Sequence, residues 1–111
     1  MNSVSSVYSL VRDTVSKLTG VEVYQLKGRS IREVDAKWLF AKGVYYLFYT
    51  SGALEHLPRP YLYDISYQLG YNCIDSITNL LHKYVPSEGI TELSTQLNAY
   101  CLNKVIKNDK I

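Results

Sequence analysis

The segment between Ser30 and Thr50 restricts the fold more than any other part of the chain. Ser30-Ile31-Arg32-Glu33 has the form of a capping box: the serine side chain takes an orphan amide, and a glutamate three residues on reaches back. Behind it, Val34, Trp38, Leu39, Ala41, Val44, Tyr45, Leu47 and Phe48 spread over much of a helix circumference instead of forming one stripe. A helix of that kind belongs in the middle of a bundle, with other helices around it. The spacing predicts it over 31–50. Gly43 in its interior costs about 1 kcal/mol relative to alanine, which points to a close helix crossing at that position.

The remaining segments supply the neighbours. Val4, Val7, Tyr8, Val11, Val15 and Leu18 fall at helical spacing, and Gly20 sits where a C-terminal glycine cap belongs. A one-turn element is expected at Val21 to Leu26. Ser51 to Arg59 reads as a connection, and Pro60 can open a helix over Tyr61 to Leu69 that buries Leu62, Ile65 and Leu69 before Gly70 ends it. A further helix is expected from Asn72 to about Val85, stopped by Pro86. Thr91 can cap a last helix to about Lys107, with Leu93, Leu97, Tyr100 and Val105 inward. No period-two segment reads as a strand. The expected fold is all-α: one domain over 1–111, a compact bundle of five or six helices containing a helix-turn-helix at about 61–85, with a C-terminal helix at about 91–107.

Composition narrows the class. A chain of 111 residues can bury one core, and 47% hydrophobic against 20% charged residues exclude disorder. The apolar stretch Trp38 to Tyr49 is broken by Lys42 and Gly43, too short and polar for a membrane span. The first residues, MNSVSSVYSLVRD, lack the basic start and apolar block of a secretory signal. A cytoplasmic protein with no membrane partner is therefore expected, with Cys73 and Cys101 free and reduced. Those thiols and His56 and His82 make no zinc spacing, so neither metal nor cofactor is expected. Nor does a catalytic constellation emerge. Cys73 and His82 would stand about 13 Å apart along one helix at 1.5 Å per residue, and Asp64 and Asp75 lie on different helices. No enzymatic activity and no small-molecule substrate are expected.

Tyr61 to Tyr84 carries the functional expectation. A short helix, a tight turn with Gly70 and a second helix is the layout of a helix-turn-helix, whose second helix enters the major groove of DNA. In that second helix Ile74, Ile77, Leu81 and Tyr84 share the inward face, and Asn72, Ser76, Asn79 and Lys83 share another side. Asparagine can read adenine, serine can contact bases or phosphates, and lysine neutralises phosphate. Asn72 serves equally well as an N-cap. The net charge is only +2, but Lys27, Arg29, Arg32, Lys37 and Lys42 stand against Glu33 and Asp35 alone, and Lys104, Lys107 and Lys110 stand near the end.

The order of these features resembles the C-terminal DNA-binding domain of the bacterial replication initiator DnaA. The likeness covers roughly Val7 to Val85 and rests on VSKLTGVEVYQLKGRS, REVDAKWLFAKGVYYL and ISYQLGYNCIDSITNLLHKY. The resemblance implies a fold like that domain (the Trp-repressor-like arrangement), with Arg29 in the minor groove and Arg32 and Lys37 on the phosphate backbone. In that family residues just before the first helix of the unit touch the groove wall, so the resemblance also implies a DNA contact for Tyr63. The family's recognition helix opens with Asp-His-Thr-Thr, where this chain has Cys73, Ile74, Asp75 and Ser76, and only Ser76 keeps its chemical type. No Gly-x-x-x-x-Gly-Lys-Ser/Thr occurs, so the initiator's ATPase module is missing from the sequence. ISYQLGY is also similar to the second helix-turn-helix of AraC-type regulators.

The expectation is thus a small transcription- or replication-associated regulator of bacterial or phage type that binds double-stranded DNA. Its candidate contacts are Arg29, Arg32, Lys37, Tyr63, Asn72, Ser76, Asn79 and Lys83, and homodimer formation through the last helix is compatible with them. The rival is a protein-interaction module that kept the scaffold and lost DNA. Eleven tyrosines suit such a surface, although tyrosines such as Tyr45, Tyr49 and Tyr84 are as well explained by half-buried packing with the hydroxyl reaching solvent. Convergence of Arg29, Arg32, Lys37 and Lys83 on one face favours DNA, whereas an exposed apolar or tyrosine patch favours a protein.

Overall fold

The computed structural model describes residues 4–22, 30–50, 59–71 and 74–109, with side chains over 7–22, 30–47, 63–71 and 75–104. Among the described residues five α-helices follow one another: α1 (Val4–Thr19), α2 (Ile31–Thr50), α3 (Arg59–Gln68), α4 (Ile74–His82) and α5 (Ile90–Asp109). Among the described residues there is no strand, and no helix is long and apolar enough to cross a membrane. Val21 and Glu22 are not helical, and the rest of the expected one-turn element lies outside the described residues.

α2 is the axis of the molecule and occupies the expected span. At its start the Glu33 amide donates to Ser30 Oγ at 3.3 Å, and the Ser30 hydroxyl donates to Glu33 Oε1 at 2.7 Å. The glutamate therefore grips the serine hydroxyl instead of the Ser30 amide, and the turn is closed by the two side chains. From Asp35 to Ala41 every residue is buried. At 3.6 residues per turn such a run passes almost twice around the helix, so this stretch is enclosed nearly all round, with Asp35 at the edge of a cleft. α1, α4 and α5 all pack on α2, α1 also packs on α5, and α3 packs on α4. Helices α1, α2 and α5 thus form a three-helix core, to which the α3–α4 pair is joined through α4.

The helix ends follow from local chemistry. Gly20 (φ 73°) closes α1, its amide donating to Ser16 O at 2.9 Å, and Arg32 donates to the Thr19 carbonyl at 3.3 Å. A cation at a helix C-terminus complements the carbonyl dipoles there. Gly70 (φ 76°) ends α3 with the paired bonds of a Schellman turn, Gly70 N–H to Tyr67 O at 3.1 Å and Tyr71 N–H to Ser66 O at 2.9 Å. α5 begins one residue earlier than expected, after Gly89 (φ 89°), with the Leu93 amide reaching back to the Gly89 carbonyl at 3.3 Å. Thr91 therefore lies inside the helix and does not cap it. The expected inward Tyr100 is a correction: Leu97 and Cys101 are buried, whereas Tyr100 is 40% exposed, with the Lys104 ammonium 5.5 Å from its ring centroid.

α4 stops at His82, short of the expected Val85, because a buried carboxylate on α2 claims the chain beyond it. Asp35 Oδ1 accepts the Tyr84 hydroxyl at 2.7 Å and the Ser87 amide at 3.1 Å. Continuing the helix would carry both donors away. The half-buried Tyr84 thus donates its hydroxyl hydrogen bond to a carboxylate. Burial and this bond to Asp35 push its pKa up to about 12.

Two outcomes follow from this packing. A Cβ on Gly43 would stand 2.6 Å from Leu97 Cδ2 and 3.0 Å from Val11 Cγ1, both in the core, confirming the close crossing. Gly43→Ala gains about 1 kcal/mol of helix propensity but overpacks the crossing by about 2 kcal/mol. It should lower Tm by roughly 5 °C in a thermal melt, and an unchanged or higher Tm would mean the crossing is looser. Tyr84 has a folded pKa raised above its unfolded value, so its contribution is fully present below about pH 10 and is lost as pH rises through about 12. Tyr84→Phe should cost about 1.5 kcal/mol at neutral pH, and the difference from the parent in urea denaturation should shrink between those two pH values.

Candidate nucleic-acid interface

The expected reading helix is α4, and its phase is set by Ile77, Leu80 and Leu81, which face the core. Opposite and beside that stripe, Asp75, Thr78, Asn79, His82 and Lys83 are exposed and Ser76 is half-buried. Asp75 stands in the first turn of α4 and His82 in the last, positions that suit the helix dipole in both cases. Ser76, Asn79 and Lys83 lie along one edge, where they line a shallow cleft of about 330 Å³ with Val34 of α2, Tyr71, Leu80 and Tyr84. Its floor is apolar and its rim carries an amide, a hydroxyl and an ammonium.

The other candidates do not all join this edge. Arg32 is exposed, but it sits at the end of α1 on the Thr19 carbonyl and lines a different cleft, with Asp35 and Ser87. Lys37 is a correction: it is 2% exposed, and its ammonium lies 4.8 Å from the centroid of the Tyr71 ring. It stands on the fully buried stretch of α2, where no phosphate can reach it. Tyr63 is 56% exposed and so accessible, and Tyr67, one turn on along α3, is 73% exposed. Arg29 and Asn72 lie outside the described residues, as do Cys73 and the side chains of Leu62, Ile74, Val105 and Lys107. The expected convergence of four cations is therefore not seen among the described residues: Lys83 is on the α4 edge, Arg32 is elsewhere and Lys37 is inside.

Between Tyr63 and Tyr84 the charged side chains are Asp64, Asp75 and Lys83, beside His82, so the α3–α4 surface is not strongly basic. Among the described residues no group of three His, Cys, Asp or Glu side chains could hold a metal ion. Cys101 is buried, its thiol 3.5 Å from Thr14 Oγ1, and burial pushes its pKa up, which suits a core side chain better than a nucleophile.

Removing the buried stem of Lys37 strips packing from the heart of the bundle. Lys37→Ala should cost about 2 kcal/mol in urea denaturation. Stability equal to the parent would place this side chain at the surface, available to a partner.

Compared with protein-family models, with curated proteins and with solved structures, the chain matches none.

Proposed function

We propose that the chain binds double-stranded DNA, laying α4 in the major groove with α3 and the Gly70 turn bracing it. The observation that carries this reading is the common edge of Ser76, Asn79 and Lys83, which presents two groups able to read bases and one able to neutralise phosphate on a single accessible line. The resemblance to the DNA-binding domain of DnaA supports it, with a different target site, because Cys73, Ile74 and Asp75 stand where that family has Asp-His-Thr. Tyr63, exposed midway along α3, is the candidate for the groove wall that the same resemblance supplies, and a role as a small transcription- or replication-associated regulator fits a domain of this size.

One observation favours a second reading. Tyr63 and Tyr67, one turn apart on the same side of α3, are both largely exposed, with Asp64 beside them. Exposed tyrosines with little charge suit a protein partner, so a module that kept the scaffold and lost DNA is the alternative.

Selection from a randomised DNA pool at two salt concentrations separates the two. On the DNA reading a defined motif is enriched and affinity falls steeply with salt. Lys83→Ala should then weaken all sites alike and reduce the salt slope by about 1, while Asn79→Ala should relax preference at one position, by about 1–3 kcal/mol. No retention of DNA at low salt sinks this proposal and leaves the protein partner.

A further inference from the structure

A second cleft, of about 490 Å³, opens where the end of α1 meets the starts of α2 and α5. That volume lies within the roughly 300–1,000 Å³ of small-molecule sites. Leu18, Ile31, Ile90 and Leu93 give it apolar walls from three helices, and Arg32 and Asp35 give it one charge of each sign. Ile31, at 73% exposure, leaves a large apolar side chain uncovered at its mouth.

The two charges line the same cleft without pairing with each other. Among the described residues the Arg32 guanidinium has the Thr19 carbonyl as its hydrogen-bond acceptor and no carboxylate. Asp35 takes both its donors, the Tyr84 hydroxyl and the Ser87 amide, on Oδ1, and none of the described residues donates to Oδ2. A largely buried carboxylate oxygen gains much from a charged donor, and so does a guanidinium from a carboxylate. A simple anion would meet Asp35 and a simple amine would meet Arg32, each with like-charge repulsion. A ligand carrying both charges next to an apolar group answers every wall of the cleft.

We propose that this cleft binds a small zwitterion with an apolar side chain, the class of the free apolar amino acids, with its carboxylate on Arg32, its ammonium on Asp35 Oδ2 and its side chain against Leu18, Ile31, Ile90 and Leu93. Because Asp35 also holds Tyr84 and Ser87, the occupied cleft shares a wall with the segment that leaves α4.

The test is calorimetric titration of the whole chain with leucine and phenylalanine, alongside N-acetyl-leucine, leucinamide and glycine. The expected result is saturable binding of an apolar amino acid with a Kd of roughly millimolar or tighter. Each of the three analogues, lacking the ammonium, the carboxylate or the apolar group, should bind at least about tenfold more weakly. Arg32→Gln should weaken binding to a similar degree. Ile31→Trp, at a side chain already mostly in solvent, should narrow the mouth and do the same if Arg32→Gln proves unstable by circular dichroism. Heats without saturation, equal binding of a blocked analogue, or folded variants that bind like the parent would overturn the assignment. None of these titrations contains nucleic acid, so failure here and failure of the DNA-binding proposal are separate results.

Discussion

A helix that is buried on every side must be enclosed by the rest of the chain, and this is the condition α2 imposes. Its stretch from Asp35 to Ala41 is enclosed nearly all round: α1 and α5 cross the helix at Gly43 while α4 closes the side nearer its start. Each large apolar side chain enclosed in this way contributes roughly 1.5–3 kcal/mol. The same enclosure turns Asp35 into an obligation. A carboxylate taken out of water has to be met by donors, and the donors are Tyr84 and Ser87 from the segment after α4. The core and the end of the candidate reading helix are therefore set by one carboxylate.

Much of this architecture was legible in local pattern. The capping box and apolar density marked α2, the two glycines marked the ends of α1 and α3, and Gly43 announced the crossing. What escaped was what depends on partners distant in sequence. The end of α4 is fixed by a residue 49 positions away from Tyr84, which no periodicity around Tyr84 encodes. On α5 the expected inward set of Leu93, Leu97, Tyr100 and Val105 leaves out Cys101, which is buried where Tyr100 is not. Leu93, Leu97 and Cys101 are four apart, however, and a small apolar thiol completes that stripe well.

The candidate site shows the same division. The shared edge of Ser76, Asn79 and Lys83 follows from their helical spacing along α4 and the turn residue after it, and the three line one cleft. Lys37, expected on the phosphate backbone from the resemblance and the local basic excess, is buried instead. Val34 and Ala41 flank it at i−3 and i+4 on the same side of α2, so the helix pattern had already placed it on an apolar face. Arg32 is drawn away by a carbonyl on α1, and the cleft it lines is assembled from three segments that are remote in sequence. Only the packed structure brings those walls together.

The order in which the chain leaves the ribosome gives the α1–α5 contact a kinetic meaning. The contact between Thr14 and Cys101 spans 87 residues, so α1 and α2 emerge long before the helix that completes their shared groove. The intervening α3–α4 pair is local in sequence and can form first, shortening the effective loop that the closure has to gather. Until α5 arrives, the notch at Gly43 and the apolar side of α2 stand open to water and to other nascent chains. Docking of α5 is thus the step that covers this apolar surface, which while exposed favours aggregation.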